Sequence, residues 1–147
     1  MLPNLQVLRL TRFCAPWRGS FFHSLMPLHE ASSIREMYLE CANGSILYHA
    51  LPAISKITGL QDLSLSHSDP FQPSLTPLSS LKQLKHLAVK GDFAGLPELL
   101  KQLPRLQSLE VSDYPSPSLL AALPQSLMAL SVRGSSDCTQ IWKHSGL

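Results

Sequence analysis

The sequence is poor in charged residues and lacks the glycine and cysteine patterns that commonly mark nucleotide, metal or disulfide sites. Charged residues account for 15% of the 147 residues, whereas about a quarter is typical of soluble domains. This low charge favours faces that a partner covers. The net charge of +2 is too small to indicate a nucleic acid partner, and Lys82, Lys85 and Lys90 are interpreted as part of a solvated face.

The seven glycines form no glycine-x-glycine or glycine-lysine sequence, so no phosphate-binding loop is predicted. The three cysteines, Cys14, Cys41 and Cys138, are odd in number and widely separated. This arrangement indicates buried, reduced thiols in a reducing compartment rather than a disulfide framework or a metal site.

The six histidines have no paired spacing that would place two of them on one helix face, which argues against a zinc site. Ser64, His67 and Asp69 are the residue types of a serine hydrolase triad, but they lie too close in sequence to point at one atom. The histidines are interpreted as surface or turn residues. We expect no catalytic residue, no metal, no cofactor and no small-molecule substrate.

Long apolar runs are also missing, since none approaches the length of about 18 residues that a membrane-spanning helix needs. No positively charged and then apolar leader precedes the hydrophobic repeats described below. We therefore expect a cytoplasmic or nuclear protein that is neither secreted nor bound to a membrane.

The sequence instead contains one six-residue phrase repeated six times. The phrase has leucine or isoleucine, two variable residues, a second apolar residue, one variable residue, and then leucine or valine. Its copies begin at Leu5, Ile34, Leu60, Leu84, Leu106 and Leu127. The separations between successive copies are 29, 26, 24, 22 and 21 residues, which is typical of a repeat protein with one structural unit per copy.

Each phrase predicts a β-strand, because apolar and variable residues alternate in it. In the third copy, Leu63 and Leu65 point to one side of the strand while Asp62, Ser64 and Ser66 point to the other. The residues between two phrases must return the chain so that the next strand can lie parallel to the last.

The return segments contain two helical patterns. The clearer one covers residues 96–103, where leucines follow helical spacing and Pro97 falls in the first turn. The other covers residues 47–57, but Pro52 should limit it to a short helix on either side. A weaker helical pattern is formed by Phe22, Leu25 and Met26. Residues 75–81, which contain Pro77, and residues 119–123, which are flanked by Pro117 and Pro124, are expected to form single turns or 3₁₀ pieces.

The chain resembles a leucine-rich repeat domain of irregular intracellular type over about residues 2–135. The resemblance implies an α/β solenoid, or horseshoe, of about six repeats, with a parallel sheet on the concave face and short helices or 3₁₀ turns on the convex face. The family usually has asparagine or cysteine three residues after the last strand leucine. Here these positions are Phe13, Ala42, Ser68, Asp92, Tyr114 and Ser135. Irregular turns are therefore expected.

We predict a single domain over residues 1–147. Its repeats start near Leu2, Ala31, Ile57, Leu81, Leu103 and Leu123. Residues 136–147 are expected to form a thin C-terminal cap or tail, with Ile141 and Trp142 covering the last turn. No capping segment precedes the first repeat, so a piece of a longer protein, a truncated product and an end covered by a partner all remain open.

The strand register predicts three columns of side chains along the concave face, about 4.8 Å apart from copy to copy. The first column is Val7, Glu36, Asp62, His86, Ser108 and Ala129. The middle column is Arg9, Tyr38, Ser64, Ala88, Glu110 and Ser131. The third column is Thr11, Glu40, Ser66, Lys90, Ser112 and Arg133. The residues predicted to bind a protein are Arg9, Glu36, Tyr38, Glu40, Asp62, His86 and Glu110.

An acidic patch with Tyr38 at its centre favours a protein partner, and in particular a basic segment of it. The favoured function is a non-catalytic interaction module, similar to the substrate arm of an F-box ubiquitin ligase or the sensor region of an immune receptor. The alternatives are a structural scaffold component, as in cilia, and a fragment with no function of its own. An enzyme would need a catalytic domain elsewhere, as in bacterial-effector-like ligases, and Cys138 would be the first residue to test.

Overall fold

The computed structural model describes residues 4–13, 33–112, 115–134 and 139–143. These residues form one seven-stranded sheet in which the strands lie side by side in chain order. The strands are β1 (Val7–Phe13), β2 (Glu36–Cys41), β3 (Asp62–Ser66), β4 (His86–Lys90), β5 (Ser108–Val111), β6 (Ala129–Arg133) and β7 (Thr139–Lys143). The pairs from β1 to β6 are parallel, and β7 pairs with β6 in the antiparallel direction.

Each strand from β1 to β6 begins at the third residue of a repeated phrase. The inward residues of β3, Leu63 and Leu65, are 2% and 0% exposed, and the leucines that open the phrases, such as Leu60 and Leu84, are also fully buried. Burying one such side chain contributes about 1.5–3 kcal/mol. Since each repeat contributes one strand and one return segment and stacks on its neighbours, this arrangement is the predicted leucine-rich repeat solenoid, and the predicted fold class is confirmed.

The repeats are also joined by a regular backbone pattern. At the start of each strand from β2 to β6, two successive N–H groups donate to one carbonyl of the preceding repeat. At β2, for example, the N–H groups of Arg35 and Glu36 donate to the Gln6 carbonyl at 2.8 and 3.0 Å. This pattern fixes the register of every new strand against the previous one.

The return segments contain three α-helices and a 3₁₀ helix within the described residues. They are α1 (Gly44–Ile54), the 3₁₀ helix (Thr76–Ser80), α2 (Leu96–Leu100) and α3 (Pro117–Ala121). The 3₁₀ helix confirms the prediction for residues 75–81, and the predicted single turn near residue 119 is α3. The helical pattern at Phe22, Leu25 and Met26 lies outside the described residues.

Two helix predictions are corrected. Helix α1 continues through Pro52 instead of stopping on either side of it. Pro52 is exposed while Leu47, Leu51 and Ile54 are buried, so the burial of one face outweighs the backbone hydrogen bond that proline removes.

Helix α2 is shorter than its leucine spacing predicts, because it ends at Leu100 rather than at Leu103. The N–H of Leu103 donates to the Leu100 carbonyl at 3.3 Å, a tighter i−3 bond. Pro104 follows directly and disfavours helical geometry at the residue before it. Leu103 nevertheless remains fully buried. The leucine spacing therefore predicted correctly which residues are buried, but not where the helix ends.

Candidate protein-binding surface on the concave face

The concave face is the sheet face that carries the outward residues of the strands, on the side away from the buried leucines. Its first two columns agree with the prediction at every pairing, from Val7 opposite Glu36 to Ser108 opposite Ala129, and from Arg9 opposite Tyr38 to Glu110 opposite Ser131. In the third column, Glu40, Ser66 and Lys90 are aligned. The register shifts between Leu10 and Phe13, so Thr11 does not join this column as predicted.

The half of this face that β1, β2 and β3 supply contains a compact cluster around Tyr38. The guanidinium carbon of Arg9 lies 4.6 Å from the centroid of the Tyr38 ring, within the range of a cation–π contact. The Tyr38 hydroxyl donates to Oε2 of Glu36 at 3.2 Å. Tyr38 is thus held from two sides, and we call Arg9, Tyr38 and Glu36 the Tyr38 cluster.

The surroundings of Tyr38 raise the pKa of its hydroxyl above the ordinary value of 10.0. Burial is the largest cause, followed by the hydrogen bond to Glu36 and the negative charges of Glu36 and Asp62, while Arg9 acts in the opposite direction. The hydroxyl therefore stays protonated at neutral pH and keeps its capacity to donate a hydrogen bond.

The remaining predicted residues are Asp62, His86, Glu40 and Glu110. Asp62 is directly opposite Glu36 in the next strand, and its Oδ1 lies 3.9 Å from Nε2 of His86. Glu40 is exposed and aligned with Ser66. Glu110 is not part of the acidic patch, because it lies in β5 and pairs with Arg133.

The half supplied by β4, β5 and β6 is flatter. Its middle column contains Ala88 and Ser131 on either side of Glu110. The Nε of Arg133 donates to Oε1 of Glu110 at 2.7 Å, so these two charges satisfy each other. Arg133 appears in the predicted third column, but the sequence did not show that it would engage Glu110 in the neighbouring column.

A second polar cluster, which sequence analysis missed, lies in the turn after β3. The His67 side chain is fully buried, with Nδ1 3.1 Å from Oδ1 of Asp69 and Nε2 donating to the Asp92 carbonyl at 2.8 Å. The same Asp69 oxygen accepts the N–H of Gly44 at 2.8 Å, and the imidazole packs edge-on against Phe93. His67 is therefore a buried turn residue that links three successive repeats.

A glycine makes room for this turn. Gly91 has a φ of +110°, and a Cβ at this position would lie 2.5 Å from the His67 carbonyl oxygen. Among the predicted turn positions, Ser68 donates to the Ala42 carbonyl at 3.3 Å, while Asp92 contributes its backbone carbonyl to His67. The turns are thus stabilised by different groups in different repeats, as the absence of a regular asparagine ladder predicts.

The sequence was also considered for metal sites, membrane-spanning helices and cysteine sites. Within the part of the chain that the structure describes, no group of three or more His, Cys, Asp or Glu side chains could hold a metal ion, and no helix is long and apolar enough to cross a membrane. The Cys41 side chain is buried in the core. Cys14, Cys138 and the side chains of Ile141 and Trp142 lie outside the described residues, and the repeat starts and the C-terminal cap stay predictions.

No protein-family model matches the chain, and none of the curated proteins matches it. Among solved structures, the chain is similar to internalin C2 from Listeria monocytogenes, with 19% identity and a TM-score of 0.43 over 92% of this chain and 66% of that one. It is also similar to internalin F from the same organism, with 18% identity and a TM-score of 0.36 over 71% of this chain and 43% of that one. The chain thus spans less than two thirds of either internalin. Its own six phrases and their strand register are what show that it folds as a leucine-rich repeat domain.

Proposed function

We propose that this chain is a non-catalytic protein-interaction module, and that its working surface is the half of the concave face supplied by β1, β2 and β3. The Tyr38 cluster carries this proposal. Tyrosine is a common anchor of protein interfaces because it offers a large rigid area with a polar tip. Here the Arg9 contact and the Glu36 hydrogen bond already fix the ring, so a partner would lose little side-chain entropy in binding it.

The charges around the cluster favour a basic segment of the partner protein. Glu36, Glu40 and Asp62 lie on two adjacent strands, and Arg9 offsets part of their charge from the strand beside them. Charge complementarity of this kind increases the association rate and excludes acidic competitors more than it raises affinity. Ser64, next to Tyr38 in the middle column, is small enough for a partner backbone to approach closely.

The module would serve as the recognition part of a larger cytoplasmic or nuclear receptor or adaptor. A substrate arm of an F-box-type ubiquitin ligase and a sensor region of an immune receptor are the two roles that we favour. Both use an extended concave surface for binding and place their chemistry in another domain. The identity of the partner decides between them.

Affinity purification from the native cell, followed by quantitative mass spectrometry, tests this proposal. We expect one defined protein to be recovered with the natural chain and lost with a variant that carries alanine at Glu36, Tyr38 and Glu40. The matched control carries alanine at Lys90, Glu110 and Arg133, on the other half of the same face, and should retain that protein. Equal recovery with all three chains would contradict the proposal, and loss with the control alone would move the working surface to β4, β5 and β6.

A further inference from the structure

The turn that leads into β4 exposes two residues between two buried leucines. Leu81 and Leu84 are both 0% exposed, and the N–H of Leu84 donates to the Leu81 carbonyl at 3.2 Å. Because both leucines point into the core, Lys82 and Gln83 lie on the solvent side of the turn, where they are exposed. Lys85 follows Leu84 and directly precedes β4. The turn therefore places two lysines at the start of this strand.

The turn that leads into β5 has the same geometry in the next repeat. Leu103 and Leu106 are 0% exposed, and the N–H of Leu106 donates to the Leu103 carbonyl at 3.4 Å. Arg105 lies between them and is exposed. The N–H of Gln107 donates to the Lys85 carbonyl at 2.7 Å, so the two turns lie side by side. Arg105 is therefore next to the turn that contains the two lysines.

Two side-chain hydrogen bonds join these turns across the boundary between their repeats. Nζ of Lys82 donates to the Gln102 carbonyl at 2.8 Å, and Nη1 of Arg105 donates to Oε1 of Gln83 at 2.6 Å. Since lysine has three donors and arginine five, both side chains keep donors for a ligand. We call Lys82, Lys85 and Arg105 the basic edge.

No carboxylate forms a salt bridge with the basic edge within the described residues. The salt bridges found there join His67 to Asp69, His86 to Asp62 and Arg133 to Glu110. The equivalent turns of the repeats on either side are described and uncharged, with Thr58, Gly59 and Gln61 before β3 and Gln125, Ser126 and Met128 before β6. The basic edge is thus a local group of like charges that a negatively charged ligand would neutralise.

We propose that the basic edge binds an acidic segment of a partner protein, at a site separate from the concave face. Carboxylates of such a segment would accept charge-assisted hydrogen bonds from the remaining donors of Lys82 and Arg105. The exposed amide groups of Gln102 and Gln107 offer further donors beside them. Because Lys82 and Arg105 are already held by hydrogen bonds, a ligand would lose little side-chain entropy in binding them.

An acidic protein segment fits this edge better than a nucleic acid does. The basic edge supplies three charges, whereas a protein that follows a phosphate backbone makes on the order of 6–10 phosphate contacts. Proteins that bind single strands also stack the bases on aromatic side chains, and the turns before β3, β4, β5 and β6 contain no aromatic residue. Lys90, which the sequence grouped with Lys82 and Lys85, lies at the other end of β4 and does not extend the edge.

Fluorescence anisotropy of a labelled peptide in which glutamate alternates with serine tests the proposal on the full 147-residue chain. We expect the peptide to bind at about 20 mM salt and to be released at about 300 mM salt. Lys82→Ala with Arg105→Ala should weaken binding at least about fivefold. Lys90→Ala with Arg133→Ala removes the same two residue types from the other ends of the strands. This matched control should bind within about twofold of the natural chain.

A charge reversal and an oligonucleotide complete the test. Lys85→Glu should weaken the peptide at least about tenfold, whereas Lys85→Arg keeps the charge and should bind within about twofold of the natural chain. Amide chemical shifts should change mainly at residues 82–85 and 102–107. Absence of peptide binding at low salt, equal losses in the two alanine variants, or shift changes confined to the concave face would overturn the proposal. Tighter binding of a single-stranded oligothymidine than of the peptide would also overturn it, in favour of a nucleic acid.

Discussion

The two halves of the concave face share one scaffold but present different surfaces. In the half from β1 to β3, Tyr38 is fixed between Arg9 and Glu36, and acidic side chains surround it. In the half from β4 to β6, small residues predominate, and Arg133 and Glu110 satisfy each other. The inward residues of the repeated phrase are apolar in both halves, with leucine or methionine in β1 to β3 and leucine followed by valine in β4 to β6. In a β-strand, alternate side chains point to opposite faces, so the inward residues build the repeat array and the outward residues form its concave surface. The outward residues can therefore differ from repeat to repeat while the fold stays the same.

The largest effect should come from a substitution that destroys both halves together. Leu63→Asp buries an unpaired carboxylate between stacked repeats, which should cost several kcal/mol and unfold the array. Circular dichroism and thermal melting of the purified variant check this. Ser64→Asp is the control on the neighbouring residue, which points outward, and its melting should stay close to that of the natural chain. Equal melting of the two variants would mean that the register is wrong.

A smaller effect is expected at the junction of the two halves. His67→Ala removes the hydrogen bonds to Asp69 and to the Asp92 carbonyl and leaves a cavity beside Phe93. We expect a loss of about 3 kcal/mol in the free energy of unfolding, measured by urea denaturation. His86→Ala, on the exposed concave surface, should change it by less than about 0.5 kcal/mol. Similar losses for both variants would show that the turn network contributes little.

Substitution of the anchor should affect binding and leave the fold nearly intact. Tyr38→Ala is expected to weaken the concave-face partner by about 2 kcal/mol, or about 30-fold in the dissociation constant. Tyr48→Ala is the matched control, because Tyr48 is an exposed tyrosine on α1, at 52%. Calorimetric titration with the purified partner measures both. If the two variants bind alike, Tyr38 is not an anchor.

The smallest expected effect is on the free energy of unfolding at alkaline pH, and it tests Tyr38 alone. The folded chain raises the pKa of Tyr38 above 10.0. The free energy that this shift contributes to folding is therefore fully present below about pH 10. This contribution is lost as the pH rises through the folded value. We therefore expect the stability of the natural chain to fall more steeply above about pH 10 than that of Tyr38→Phe. Denaturant titrations at several pH values compare the two slopes, and identical slopes would contradict the assignment.

The fold and the column register were predictable because both follow from local alternation repeated six times. Because side chains alternate along a strand, burial of Leu63 and Leu65 places the residues on either side of them on the opposite, exposed face. Parallel stacking of the strands then aligns equivalent positions of successive repeats. The same reasoning placed Arg9 beside Tyr38. It failed at Thr11, where the register shift between Leu10 and Phe13 breaks the third column.

The remaining features depend on contacts that no local pattern encodes. His67 is satisfied by Asp92, 25 residues away in sequence, and its burial depends on Gly91. Arg133 engages Glu110 across columns because its long side chain can reach beyond its own strand. Pro52 is tolerated within α1 because the opposite face of that helix is buried by neighbouring repeats, which local propensity does not consider.

The most direct test of the central claim compares the affinity of one purified partner for three purified chains. These are the natural chain, the alanine variant at Glu36, Tyr38 and Glu40, and the alanine variant at Lys90, Glu110 and Arg133. If the half from β1 to β3 is the working surface, the first variant should bind at least about 30-fold more weakly and the second within about twofold of the natural chain. Equal losses in both variants, or a larger loss in the second, would contradict it.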